Sequence, residues 1–200
     1  MDNIIYKYNC SIIGDCCTGK TLSIKKYIYP EKELKIRKTI GVDILINYNT
    51  ISKINFKEVY YDLSGENRFK PIYNCYLKDS SIVLVFFDPL KNNWKDRINY
   101  WNNFVKNLND ECIIIFVANI LNSEKFDDSD ILKFIKEKKM IYYLNYSFNK
   151  ESNNNLFFIV SKLIFNLYLM EQINNYEYIT LNNKIKRDCN GYLYYKRDCI

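Results

Sequence analysis

Eight residues near the start of the chain carry the groups that hold a polyphosphate. Gly14-Asp15-Cys16-Cys17-Thr18-Gly19-Lys20-Thr21 fits the pattern GxxxxGK[ST]. Glycines at both ends let the backbone curl until successive N–H groups face one anion. Lys20 adds a point charge for the β and γ oxygens, and the Thr21 hydroxyl can ligate Mg²⁺. Two further runs follow downstream, Thr39-Ile40-Gly41-Val42-Asp43 and Asp62-Leu63-Ser64-Gly65-Glu66-Asn67-Arg68-Phe69. A lone DxxG such as Asp62 to Gly65 is a weak signal; three motifs in fixed order are a strong one.

A phosphate loop needs a strand to deliver it and a helix to receive it. Residues 4–13 read as an apolar strand running into Gly14, and Thr21 to Ile28 reads as a helix ending before Pro30. A hairpin-like pair comes next, Gly41–Tyr48 and Ile54–Leu63. The continuous apolar runs Ile82–Phe87 and Cys112–Ala118 predict strands covered on both faces. Between them Trp94, Ile98, Trp101, Val105 and Leu108 have helical spacing. Ile131–Ile135 predicts a helix, Ile141–Leu144 a last strand, and Leu156–Leu169 a long amphipathic helix. Strands alternating with helices give a parallel α/β sheet. Periodicity stops near residue 176, which predicts one domain over 1–176 and a flexible tail over 177–200, where Lys-Arg-Asp-Cys occurs twice.

Composition removes whole classes of chemistry. The 200 residues contain no histidine, so imidazole nucleophile systems, histidine-ligated metals and histidine pH switches are excluded. Seven cysteines without a CxxC pair, two of them adjacent, argue against a disulfide framework and a zinc ribbon, and for a reducing compartment. The net charge of +6 is a mild excess spread along the chain and does not call for nucleic acid. Neither a signal-peptide layout nor an apolar run of the ~18 residues a span requires is present, so a cytoplasmic chain is expected. A single alanine, Ala118, amid abundant Asn, Ile, Lys and Tyr reflects an AT-rich genome.

On the phosphate loop, Thr39 to Asp43 and Asp62 to Phe69, the chain resembles a Rab-type small GTPase of the Ras superfamily over roughly residues 4–170. The resemblance implies a P-loop NTPase G domain: a mostly parallel six-stranded sheet flanked by helices, with β2 antiparallel. It implies GTP/GDP and Mg²⁺ as cofactors and residues 14–21 as the phosphate site. Thr39 would close over the γ-phosphate and ligate the metal with Thr21. Asp62 would hold its water shell, and the Gly65 N–H would meet the γ-phosphate beside the catalytic position, Glu66. Effectors would read Ile36, Arg37, Lys38, Thr39, Ile40, Gly41, Val42, Asp43 and Ile44, with an exchange factor and a GTPase-activating protein as further partners. The expected state is a monomer.

The departures from the family pattern matter as much. Glu66 stands where the family has a water-orienting glutamine, and a carboxylate cannot donate to a phosphate, so hydrolysis should be slow. Lys32 falls where an aromatic residue usually stacks on the base. Asn119-Ile120-Leu121-Asn122 replaces NKxD, and SAK is reduced to Ser147, so Asn119, Asn122 and Ser147 are the base-side candidates. A second register would use Glu124-Lys125-Phe126-Asp127. The Rab aromatic triad maps to Ile44, Tyr61 and Tyr76, for which effector contact and core packing weigh equally. The pairs Trp94/Trp101 and Phe157/Phe158 are expected in the core. A CaaX ending and the paired Rab cysteines are both absent. Cys199 is the one lipidation candidate for peripheral membrane association, helped by the basic pairs at 186–187 and 196–197. Two functions remain in play: a slow Rab-like switch in vesicle trafficking, and a pseudo-GTPase interaction module with a Rab-like surface and altered nucleotide specificity.

Overall fold

Alternating burial shows how the sheet is covered. In β4 (Ile82–Phe87) Ile82, Leu84 and Phe86 enter one apolar core, while Val83, Val85 and Phe87 enter a second core on the other face. The computed structural model describes residues 5–34, 37–120, 127–145, 150–173, 185–187 and 193–195. Its main sheet also contains β1 (Ile5–Gly14), β2 (Val42–Ile51), β3 (Ile54–Leu63), β5 (Ile113–Asn119) and β6 (Ile141–Asn145). The order is β2-β3-β1-β4-β5-β6. Every neighbouring pair is parallel except β2 with β3, the hairpin closed at Ser52-Lys53. The six-stranded, mostly parallel architecture with β2 antiparallel is therefore present.

Helices α1 (Lys20–Ile28) and α5 (Lys150–Ile173) cover one face. Ile24, Leu156, Phe157, Val160, Leu163 and Ile164 supply the apolar stripes. Helices α3 (Trp94–Lys106) and α4 (Ser129–Glu137) cover the other, through Ile98, Trp101 and Val105 and through Ile131 and Ile135. The sequence gives no helical signal over residues 67–77, yet a 3-10 segment over Asn67–Tyr73 continues into the single turn α2 (Asn74–Leu77). Pro71 lies inside that segment and withholds one N–H, which is tolerated in so short a helix. Phe158 corrects another expectation: it is exposed on α5 with the Lys162 ammonium 4.3 Å from its ring centre, whereas Phe157, Trp101 and part of Trp94 are in the core.

Chain order leaves β1 at the point where connections change direction. It runs left to β3 and right to β4, so a crevice opens beyond its carboxyl end. Gly14 ends β1 there with φ +135, and a Cβ on it would lie 2.0 Å from the carbonyl oxygen of Phe86. No other residue fits. Within residues 177–200, β7 (Ile185–Arg187) and β8 (Leu193–Tyr195) pair antiparallel as a two-stranded sheet; the rest of that tail lies outside the described residues. Among the described residues no helix is long and apolar enough to cross a membrane.

Candidate functional site

Beyond β1 the chain turns through Asp15–Thr18 and enters α1 at Lys20. Gly19 stands before the helix in the left-handed region, φ 80. The first N–H groups of α1 therefore open toward the crevice, a cleft of about 320 Å³ whose wall includes Cys16, Cys17, Lys20, Arg37, Lys38 and Glu66. Lys20 is buried. Its ammonium donates to the Gly14 carbonyl at 3.1 Å, the Asp15 carbonyl at 2.6 Å and the Thr18 hydroxyl at 3.4 Å. Burial lowers its pKa, with the Asp62 charge opposing. Cys17 holds φ 61, unusual for a residue with a Cβ.

Three segments deliver one cluster of oxygens. The Thr21 hydroxyl lies 2.5 Å from Asp62 Oδ2 and 2.8 Å from the Thr39 hydroxyl, and Thr39 lies 3.3 Å from the same carboxylate oxygen. Asp62 is fully buried, and its Oδ1 has no hydrogen-bond partner among the described residues. A buried carboxylate oxygen without a donor is costly, and burial accordingly raises the Asp62 pKa, the two hydroxyls and Lys20 pulling it back. This arrangement fits Mg²⁺, which favours one or two carboxylates, keeps several waters and takes phosphates as its other ligands. Among the described residues no group of three or more Cys, Asp and Glu could cage an ion without such ligands.

The two segments flanking the cleft are tied together. Ser64 N–H donates to the Gly41 carbonyl at 2.9 Å, and the Tyr73 hydroxyl donates to the Ser64 carbonyl. Gly65 abuts the loop so closely that a Cβ there would lie 2.5 Å from Cys16 N. Glu66 lines the cleft, with its carboxylate paired to Arg68 Nε at 2.8 Å. Of the effector candidates, Arg37, Lys38, Ile40 and Ile44 are exposed, Thr39, Gly41 and Val42 half-buried, and Asp43 pairs with Lys25 at 2.8 Å. Ile44 stands opposite Tyr61 across the hairpin, and the Tyr61 and Tyr76 rings are 4.9 Å apart, so the triad positions form one patch with Ile44 outermost.

On the base side the picture is partial. Asn119, at the end of β5, donates from Nδ2 to the Thr18 carbonyl at 2.7 Å, tying that strand to the phosphate loop. Asp127 accepts from the backbone and hydroxyl of Ser129 at the start of α4, which lowers its pKa. Ile36, Asn122, residues 124–126, Ser147 and Cys199 lie outside the described residues. One contact to the loop had no signal in the sequence. Arg97 and Trp101 of α3 reach the Asp15 carboxylate across more than 80 positions of chain, and nothing in the spacing of the sequence pairs them with it.

The family model for Roc, the Ras of Complex domain of DAPkinase, matches residues 9–122. A probable Rab-related GTPase of Acanthamoeba polyphaga mimivirus is 26% identical over 160 residues, 75% of this chain and 73% of that protein. The Ras-related protein RABA4a of Arabidopsis thaliana is 21% identical over 168 residues, 82% and 74% of the two chains. The Ras-related protein Rab11A of Lotus japonicus is 24% identical over 154 residues, 75% and 68%. The matched span runs from inside β1 to just past β5 and so contains both the phosphate loop and Asp62. This chain belongs to the Roc/Ras family of GTPase domains, as a divergent member of its Rab type.

Proposed function

We propose that the chain is a Mg²⁺- and guanine-nucleotide-dependent switch that hydrolyses GTP slowly and serves vesicle or membrane trafficking. The observation that carries this reading is the meeting of Lys20, Thr21 and Thr39 at one cleft, with the buried Asp62 carboxylate bonded to Thr21. In the reading, backbone N–H groups of residues 15–20 cradle the phosphates, and the Lys20 ammonium exchanges loop carbonyls for phosphate oxygens. The Thr21 and Thr39 hydroxyls would hold Mg²⁺, with Asp62 bonded to both and orienting them, and the ion would supply positive charge against the phosphates. Thr39 and the Gly65 N–H report the γ-phosphate, so the segments joined by the Ser64 to Gly41 bond shift together between two states. Slow turnover follows from Glu66, which cannot donate to the γ-phosphate and is paired with Arg68.

Residues 36–44 and 62–80 form the surface for Rab-type effectors, with an exchange factor and a GTPase-activating protein acting on the same segments. The switch occupies residues 1–176 as a monomer, and the tail over 177–200, singly lipidated at Cys199 or unmodified, gives peripheral attachment at the cytosolic face of membranes. On the base side the reading assigns Asn122 and Ser147. Asn122 offers one acceptor and one donor where an aspartate offers two acceptors, so discrimination for guanine should be weak.

The test is mass spectrometry of the copurifying nucleotide, followed by titration with GTP, XTP and ATP with and without Mg²⁺. Stoichiometric guanine nucleotide is the expected result, and an Asn122→Asp variant should raise the preference for GTP over XTP by roughly one to two powers of ten. A chain that binds no nucleotide would instead be the interaction module with a Rab-like face. An unchanged GTP/XTP ratio in the variant would move the base reader to Asp127.

A further inference from the structure

The phosphate loop contains an anion of its own. Asp15 follows Gly14 directly, one residue into a loop whose ligand is a polyanion, and an unpaired carboxylate there would repel it. Arg97 engages that carboxylate with both arms of its guanidinium: Nε donates to Oδ2 at 2.8 Å and the terminal nitrogen to Oδ1. Trp101, one helical turn on, adds its indole N–H to Oδ1 at 3.3 Å. The guanidinium also lies over the Tyr100 ring at 4.6 Å and near the Trp101 ring at 5.7 Å. Both partners are about a quarter exposed, so the pair is partly shielded from solvent and geometrically fixed. Arg97 does not line the cleft and grips the loop from the α3 side. At its backbone the same Asp15 offers the carbonyl that accepts the Lys20 ammonium at 2.6 Å and the Thr18 hydroxyl at 2.9 Å.

We propose that Arg97 is a positioning residue for nucleotide binding: it neutralises Asp15 and fixes its side chain against α3, so that the loop presents N–H groups and Lys20, and no free carboxylate, to the phosphates. This rests on the nucleotide site proposed above. The chain of contacts runs Arg97, Asp15, Lys20, and nothing in it requires Arg97 to touch the ligand. Lysine cannot reproduce the fork, since its flexible point charge lacks the planar pair of parallel N–H groups that matches two carboxylate oxygens.

The experiment measures affinity and dissociation of fluorescently labelled GDP and GTP for the full chain, with thermal melting of each protein without nucleotide. Arg97→Ala is expected to weaken binding roughly tenfold, and the deficit should shrink as salt is raised, because screening weakens the repulsion of an unpaired Asp15. Arg97→Lys should fall between Arg97→Ala and the parent, and keeps the charge should Arg97→Ala fail to fold. Asp15→Ala combined with Arg97→Ala should recover most of the lost affinity, because the repelling charge is gone. A purely structural role predicts the opposite, a double variant at least as weak as Arg97→Ala and a deficit indifferent to salt, and either result overturns the proposal. So does unchanged binding in Arg97→Ala. Parent protein that binds neither nucleotide, or binds them as well after Lys20→Ala, overturns the nucleotide site itself and this inference with it.

Discussion

Lys20 has exchanged solvent for three loop oxygens, and burial has already lowered its pKa, so the ammonium is held in place before any phosphate arrives. A preorganised charge of this kind contributes mainly to binding. Lys20→Ala should abolish nucleotide retention through gel filtration while leaving the far-UV circular dichroism spectrum unchanged; a variant that keeps its nucleotide would remove the loop from the phosphate site. Glu66 poses a separate question. Its carboxylate sits on the cleft wall and is compensated by Arg68, and the position calls for a group that accepts from water and donates to phosphate. Glu66→Gln should raise single-turnover GTP hydrolysis by about tenfold, what one hydrogen bond of about 1.4 kcal/mol gained in the transition state supplies. Identical rates would mean that residue 66 does not reach the reacting atoms. The motif residues were legible because each lies within one short stretch of chain. Arg97 was not, because its partner Asp15 is brought to it only by the packing of α3 against β4, and a lone arginine on an amphipathic helix looks like any solvated charge.

At the scale of elements, apolar runs, turn signals and helical spacing located every strand of the main sheet and four of its helices, with bounds shifted by a few residues. Helix α1 begins one residue early, at Lys20, because Gly19 takes the left-handed turn, and α5 extends past both ends of the predicted 156–169. The segment over 67–77 was illegible because its order comes from outside it. The Tyr73 ring stacks on Trp101 at 6.1 Å and its hydroxyl bonds the Ser64 carbonyl, while Lys70 donates to the Tyr100 hydroxyl at 2.8 Å. Equally hidden was Glu58 on β3, a fully buried carboxylate satisfied by Asn47 at 3.0 Å, Asn49 at 3.4 Å and the Tyr60 hydroxyl at 3.1 Å. Alternation alone would place an apolar residue there. The element most sensitive to a single atom is the junction of β1 with the loop. Gly14→Ala would drive a methyl group into the Phe86 carbonyl and impose a backbone conformation that residues with a Cβ rarely adopt. It should cost about 3 kcal/mol or more in urea unfolding, against about 1–2 kcal/mol for Gly41→Ala, whose nearest atom is the flexible end of Ile72 at 3.7 Å and whose penalty is mainly its φ of +72.

The whole molecule carries a stability cost concentrated at Asp62. Burial raises that carboxyl above its ordinary range, and the Thr21 and Thr39 hydroxyls and the Lys20 charge offset only part of the effect. Without ligand, the folded chain therefore binds this proton more tightly than the unfolded chain, where aspartate titrates near ~3.9. The stability gained from the proton is fully present below the unfolded value and is lost as pH rises through the folded one, above which the site stands charged with Oδ1 uncompensated. Such strain is expected where a protein keeps a place for a cation. An Asp62→Asn variant removes the charge while keeping an acceptor for Thr21. In the absence of Mg²⁺ and nucleotide it should melt above the parent at pH 7.5, each 1 kcal/mol relieved appearing as roughly 2–4 °C for a chain of this length. The gap should narrow as pH falls toward 5. With Mg²⁺ and GDP at about 100 times the parent's Kd the order should reverse, because ligand binding adds about 2.7 kcal/mol to a protein that retains the site and little to one that has lost it. Differential scanning calorimetry across pH 5–8, with and without Mg²⁺ and GDP, measures all three. Equal melting of the two proteins at every pH, with equal stabilisation by Mg²⁺ and GDP, would mean that Asp62 is an ordinary buried carboxylate and that the metal is held elsewhere.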